Sequence, residues 1–237
     1  MKYYKTFILF FFIFFIILSC SNVPTSSNNS NIKLEDRAGR YSLNLNFTED
    51  ITLDFVVFKE GYINFIGKKN NIANNIGSYY LGDPKSTNNT FSFDIKETIN
   101  GVAPDTYFVD FFWGKLRYSQ NKEVYFKKVN DSTSIKMNER IGIYYNKDKS
   151  ANITITDKQI LWSYFPDAYI DIANPYSEET SFSRTQSFTN SNGEEHSFTI
   201  DIVFNYNSIK LKFTITDPSY SQYNKEEEYR IVWENNI

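Results

Sequence analysis

The sequence predicts an all-β protein of two tandem antiparallel β domains behind an N-terminal leader, and three observations predict it. Apolar and polar residues alternate with a period of two along much of the chain, the pattern of strands with one dry and one wet face. No stretch sustains a helical repeat over three turns. The second half repeats landmarks of the first half in the same order. With 237 residues, 41% of them hydrophobic and 18% aromatic, the chain can bury one large core or two small ones.

The leader occupies residues 1–19. "MKYYKTFILFFFIFFIILSCS" places Lys2 and Lys5 ahead of an apolar run from Phe7 to Leu18, too short to span a bilayer comfortably and suited to a secretory signal. Its end, Ile17-Leu18-Ser19-Cys20, resembles the bacterial lipobox in the loose form of spirochaetes. That resemblance implies attachment of a diacylglycerol carrying palmitate-type chains to the Cys20 thiol, cleavage before Cys20, and a lipid-anchored place in the bacterial cell envelope at the outer membrane. Cys20 is the one cysteine of the chain, so a disulfide framework is excluded. Residues 20–35, beginning "CSNVPTSSNNSN", are polar, aperiodic and read as a tether.

The first β domain is expected over residues 36–130. "YSLNLNF" puts Tyr41, Leu43, Leu45 and Phe47 on one face, and "ITLDF" at Ile51 and "FSFDI" at Phe91 continue the alternation. Turn chemistry separates these runs in "GDPKSTNN" from Gly82 and in Asn100-Gly101. After a joint at "NDSTSIKM", the second domain is expected over residues 137–237. There "FTIDIVF" at Phe198 and "IKLKFTIT" at Ile209 alternate, punctuated by "NSNG" ending at Gly193 and "TDPS" from Thr216.

The halves match in three places. Gly39-x-Tyr41 parallels Gly142-x-Tyr144, "TFSFDI" from Thr90 parallels "SFTIDI" from Ser197, and "YSQNKE" from Tyr118 parallels "YSQYNKE" from Tyr220. Gly39 and Tyr118 are 79 positions apart, Gly142 and Tyr220 78. Ordered similarity at one spacing marks an internal repeat, with the shared phrase at the turn before the last strand of each copy.

One copy, opening Gly-x-Tyr and running through antiparallel hairpins to a final strand, resembles the small bacterial lipocalin-like domains of the calycin group. The resemblance implies a β-barrel whose end is plugged by Tyr41 or Tyr144, in place of the family's Trp, with Lys127 or Arg230 across the ring. A closed barrel also removes exposed strand edges. Two β-sandwiches are the alternative architecture.

The formal net charge is −3, and without Lys2 and Lys5 it is 23 − 28 = −5, which speaks against nucleic acid as a partner. The one histidine, His196 in "GEEHSF", reads as a solvated turn residue. Zinc-ligand sets, a phosphate loop and a nucleophile elbow are missing, so neither enzymatic activity nor a metal or other cofactor is expected. Binding is sought instead among Trp113, Trp162, Trp233, Tyr41 and Tyr144, which could line a barrel holding a small hydrophobic or amphipathic ligand. The alternative is an adhesin-like surface module with solid cores whose partner is an envelope or host protein.

Overall fold

The computed structural model describes residues 31–43, 51–69, 72–96, 104–118 and 122–231. Cys20, the leader, most of the tether, the Asn100-Gly101 turn and Trp233 lie outside the described residues. The protein is all-β. Its strands are β1 (Gly39–Leu43), β2 (Ile51–Val57), β3 (Tyr62–Lys69), β4 (Ile72–Tyr80), β5 (Thr90–Ile95), β6 (Asp105–Asp110), β7 (Lys115–Tyr118) and β8 (Lys122–Asn130), followed by a second series. That series is β9 (Gly142–Tyr145), β10 (Asn152–Ile155), β11 (Gln159–Trp162), β12 (Phe165–Asp171), β13 (Ser181–Thr189), β14 (Glu195–Phe204), β15 (Ile209–Ile215) and β16 (Lys225–Tyr229). The helical residues described are short 3-10 turns.

The first eight strands form one antiparallel, barrel-like sheet in the order β4-β3-β2-β1-β8-β7-β6-β5. The second eight form two four-stranded sheets, β12-β11-β10-β9 and β13-β14-β15-β16. An antiparallel bridge between Tyr145 and Arg230 connects β9 with the chain just beyond β16. Counted from its own first strand, each series therefore runs 4-3-2-1-8-7-6-5. Sequential hairpins give this order, and the pairing of first and last strands turns the meander back on itself.

The chain divides into two compact units. One comprises residues up to Ile63 together with Tyr79–Ser132, and the other Asn64–Ser78 together with Thr133–Ile237. The far part of the β3–β4 hairpin thus belongs to the second unit, where its Asn75 N–H donates to the Ile141 carbonyl at 2.9 Å.

Aromatic rings fill the first unit. Tyr41 lies flat on Phe55 with centroids 4.9 Å apart, and Phe126 meets both rings edge-on. Where β4 and β5 end the sheet, Tyr79 stacks on Phe93 at 4.9 Å. Burial follows the alternation already visible in the sequence: Phe91, Phe93 and Ile95 are buried while Thr90, Ser92 and Asp94 face water. In the second unit Ile153, Ile155, Ile160, Trp162, Ile200, Ile202, Leu211 and Phe213 belong to one continuous core. Its seam between β12 and β13 is crossed by Arg184, whose guanidinium donates to the Tyr169 carbonyl and lies 4.9 Å from the Tyr169 ring.

Both units open with the same turn. Leu34–Arg37 and Met137–Glu139 are 3-10 turns entered from an extended lysine, Lys33 or Lys136. Leu34 N–H donates to the Ser86 carbonyl and Met137 N–H to the Ser177 carbonyl, each at 2.9 Å. Those acceptors lie in matching loops, Asp83-Pro84-Lys85-Ser86 and Asn174-Pro175-Tyr176-Ser177. In each, the first side chain accepts from the backbone two residues on, as in an Asx turn.

Candidate functional site

Tyr41 and Tyr144 occupy corresponding positions at the start of each unit, and both are buried. The Tyr41 hydroxyl donates to the Arg37 carbonyl at 2.6 Å, and that of Tyr144 to the Arg140 carbonyl at 2.8 Å. Each tyrosine thus fastens the 3-10 turn onto the core. Each arginine lies over a phenylalanine, Arg37 at 5.0 Å from the Phe111 centroid and Arg140 at 4.6 Å from that of Phe204. Across Tyr41 lies Lys128, 5.9 Å from the ring centroid, while Lys127 pairs with Ser42. The basic residue over the Tyr41 ring is therefore the neighbour of the one expected. Arg230 instead directs its guanidinium to Glu228 at 3.0 Å.

Trp162 is a core residue, 3% exposed. Its indole N–H donates to the Tyr229 hydroxyl at 2.7 Å, which donates in turn to Glu227 at 2.5 Å. Burial pushes Tyr107 and Tyr144 up from 10.0 to about 12. Burial likewise raises Tyr41, and raises Tyr229 with the help of Glu227. Below pH 10 folded and unfolded chains both hold these protons, and the stabilisation is complete. Between about 10 and about 12 the unfolded chain ionises while the folded one does not, so stability falls as pH rises. Tyrosinate absorbance should accordingly appear in two stages, the second coinciding with loss of near-ultraviolet dichroism. Complete titration near pH 10 with dichroism intact would contradict this.

His196 departs from the sequence expectation. It lies on β14 with a side chain 9% exposed, not in a solvated turn. Its Nδ1 is 3.0 Å from Asp217, its Nε2 3.0 Å from the Asn190 amide, and its ring meets Tyr220 edge-on at 4.7 Å. The shared "YSQ" phrase thus has a structural use here, since its Tyr220 packs over the histidine ring.

Trp113 is 58% exposed, beside Phe112 at 41%. The turn between β6 and β7 holds them there. Asp110 Oδ1 accepts from the backbone N–H of Phe112 at 3.0 Å and of Trp113 at 3.1 Å. Gly114 closes the turn at φ +60°, where an added Cβ would come within 2.9 Å of the Phe126 carbonyl. Phe111 turns inward against Tyr41 and Phe126, whereas Phe112 and Trp113 meet edge-on at 4.9 Å on the outside. On β7, after the turn, Lys115 is paired with Glu123 at 2.7 Å and lies 5.2 Å from the Tyr125 centroid, and Arg117 lies 5.3 Å from that of Phe108. Phe108 and Tyr125 are themselves exposed. Two large exposed rings presented by a fixed turn have the composition of an interface hot spot.

Four of the five residues singled out from the sequence lie among the described residues. Tyr41 lies in the first unit's core and Tyr144 and Trp162 in the second's, Trp113 projects from a turn, and Trp233 is outside the described residues. Sequence reading missed Phe112, Asp110 and Gly114. The signal that could have found them is the Asp-x-x-x-Gly spacing inside "VDFFWGK", where an acceptor and a left-handed residue bracket three aromatics. Comparison with family models, with curated proteins and with solved structures finds no match to this chain.

Proposed function

We propose that the protein is a lipid-anchored envelope protein that works by binding a protein partner at its surface, with the Phe112–Trp113 turn as the principal contact. The observation that carries this reading is the pair of exposed rings held by Asp110 and Gly114. Ordering a solvent-exposed aromatic in advance lowers the entropy lost on association. The rings described inside each unit already pack on one another, as Tyr41 does on Phe55 and Trp162 beside Phe213, which favours surface recognition over enclosure of an apolar ligand. Lipidation at Cys20, an outer-membrane location and an envelope or host protein as partner belong to the same proposal and rest on the leader.

The test is saturable binding of the labelled chain to envelope fractions and to immobilised host-matrix proteins. Phe112→Ser with Trp113→Ser should weaken it at least about tenfold, the loss of one modest hot spot, while the melting temperature stays unchanged. Undiminished binding by this double variant would refute the assignment. Cys20→Ala should abolish fatty-acid labelling, and retained labelling would refute the anchor.

A further inference from the structure

The second unit contains a polar cavity of ≈ 20 Å³, lined among others by Asn64, Asn75, Arg140, Tyr144, Phe204 and Ser208. All of these residues belong to that one unit. One water needs about 10–15 Å³, so the cavity accommodates one or two water-sized atoms. No carboxylate lines it.

Two of its walls carry buried donors that lack acceptors. Asn64 is 1% exposed and Arg140 7%, and neither Asn64 Nδ2 nor Arg140 Nε has a hydrogen-bond partner among the described residues. The nearby acid, Glu139, is engaged by Lys68 at 3.2 Å and by the Lys136 N–H. Asn75 and Tyr144 are committed to each other at 3.0 Å, and the Tyr144 hydroxyl donates onward to the Arg140 carbonyl.

The first unit shows what the second one lacks. Arg37, the counterpart of Arg140, donates from Nη2 to Asn89 Oδ1 at 2.7 Å and to the Ile32 carbonyl at 3.1 Å. Asn89 is placed by its carbonyl accepting from Phe111 N–H, and in the second unit Thr180 accepts from Phe204 N–H in the same way. Threonine has no carboxamide to reach the guanidinium. Arg37 Nε, like Arg140 Nε, has no partner, so the two units differ in the carboxamide that the first supplies to its guanidinium and in the orphaned Asn64 Nδ2 of the second. Buried donors without acceptors are costly, and an anion between Arg140 and Asn64 answers both.

We infer that this cavity is a binding site for a small monovalent anion of chloride size, held by the Arg140 guanidinium and Asn64 Nδ2. The anion gives the Arg140 guanidinium an acceptor, as the Asn89 carboxamide does for Arg37 Nη2 in the first unit. It also ties the 64–78 segment to the 3-10 turn at Arg140.

The experiment uses the full chain in detergent, with chloride NMR line broadening and thermal melts in sodium chloride against sodium gluconate at equal ionic strength. Saturable broadening is expected, together with a melting temperature that rises with chloride and not with gluconate. Asn64→Leu should weaken chloride binding about tenfold or more, as for loss of one hydrogen bond to a charged group. Arg140→Gln should abolish the broadening. Absence of saturable broadening in the wild type overturns the site, as does an Asn64→Leu protein that broadens and melts with the wild-type chloride dependence. Should Arg140→Gln fail to fold, the Asn64→Leu result decides alone.

Discussion

Trp162→Ala is expected to destabilise the second unit by about 3–5 kcal/mol, the range for deleting a buried large aromatic. The indole touches Tyr164 in the β11–β12 turn, Phe165 on β12 and Phe213 on β15, so its removal leaves a void beside the buried Phe213. It also deletes the donor to Tyr229, whose hydroxyl is then left with Glu227 alone. Against a total domain stability of about 5–15 kcal/mol, such a loss removes a large share of the unit's stability. Trp162→Phe, which keeps most of the volume and loses the hydrogen bond, should cost less. Denaturant unfolding followed by circular dichroism measures both, and an alanine variant as stable as the wild type would place Trp162 outside the core.

A fragment of residues 133–237 should fold poorly on its own and should recover when residues 64–78 are supplied. That segment gives Glu139, whose side chain is 5% exposed, its Lys68 partner. It also gives Tyr144 the Asn75 amide and gives the Ile141 carbonyl its donor. Breaking a buried ion pair by removing one partner costs about 3–5 kcal/mol when the pair is wholly buried. Lys68 is 30% exposed, so its share is smaller, and the two lost hydrogen bonds add to it. A melt of the isolated fragment, repeated after fusing residues 60–80 through a flexible linker, measures the difference. Equal melting with and without the hairpin would show that the 137–237 half carries its own stability.

Much of this architecture was legible in the sequence because alternation and turn chemistry are local. Phe91 to Ile95, Phe198 to Phe204 and Ile209 to Ile215 are strands with the expected faces buried. What escaped depends on contacts between distant residues. The arginine at the end of each opening 3-10 turn acquires its meaning from a distant aromatic, Phe111 for Arg37, 74 positions away, and Phe204 for Arg140, 64 positions away. His196 reads as a turn residue because Asn-Gly precedes it, yet β13 and β14 pair almost to the turn, with Phe188 opposite His196, and Asp217 and Tyr220 close over it. In "YFVDFFWGKLRY" the continuous apolar run hid a turn. Asp110 reorganises the backbone by accepting two N–H groups, and hydrophobicity alone does not register that. The allocation of residues 64–78 to the second unit is likewise invisible to any periodicity.

The central claim is that aromatic side chains fill the interior of each unit and, as proposed, that recognition occurs at the surface. Titration of the chain with an apolar fluorescent probe, followed by fatty-acid competition and a thermal melt, tests it most directly. The account predicts no saturable, displaceable binding and no change in melting temperature. Saturable binding that quenches tryptophan emission, is displaced by fatty acid and stabilises the fold by about 2.7 kcal/mol at a hundredfold excess over the dissociation constant would contradict it.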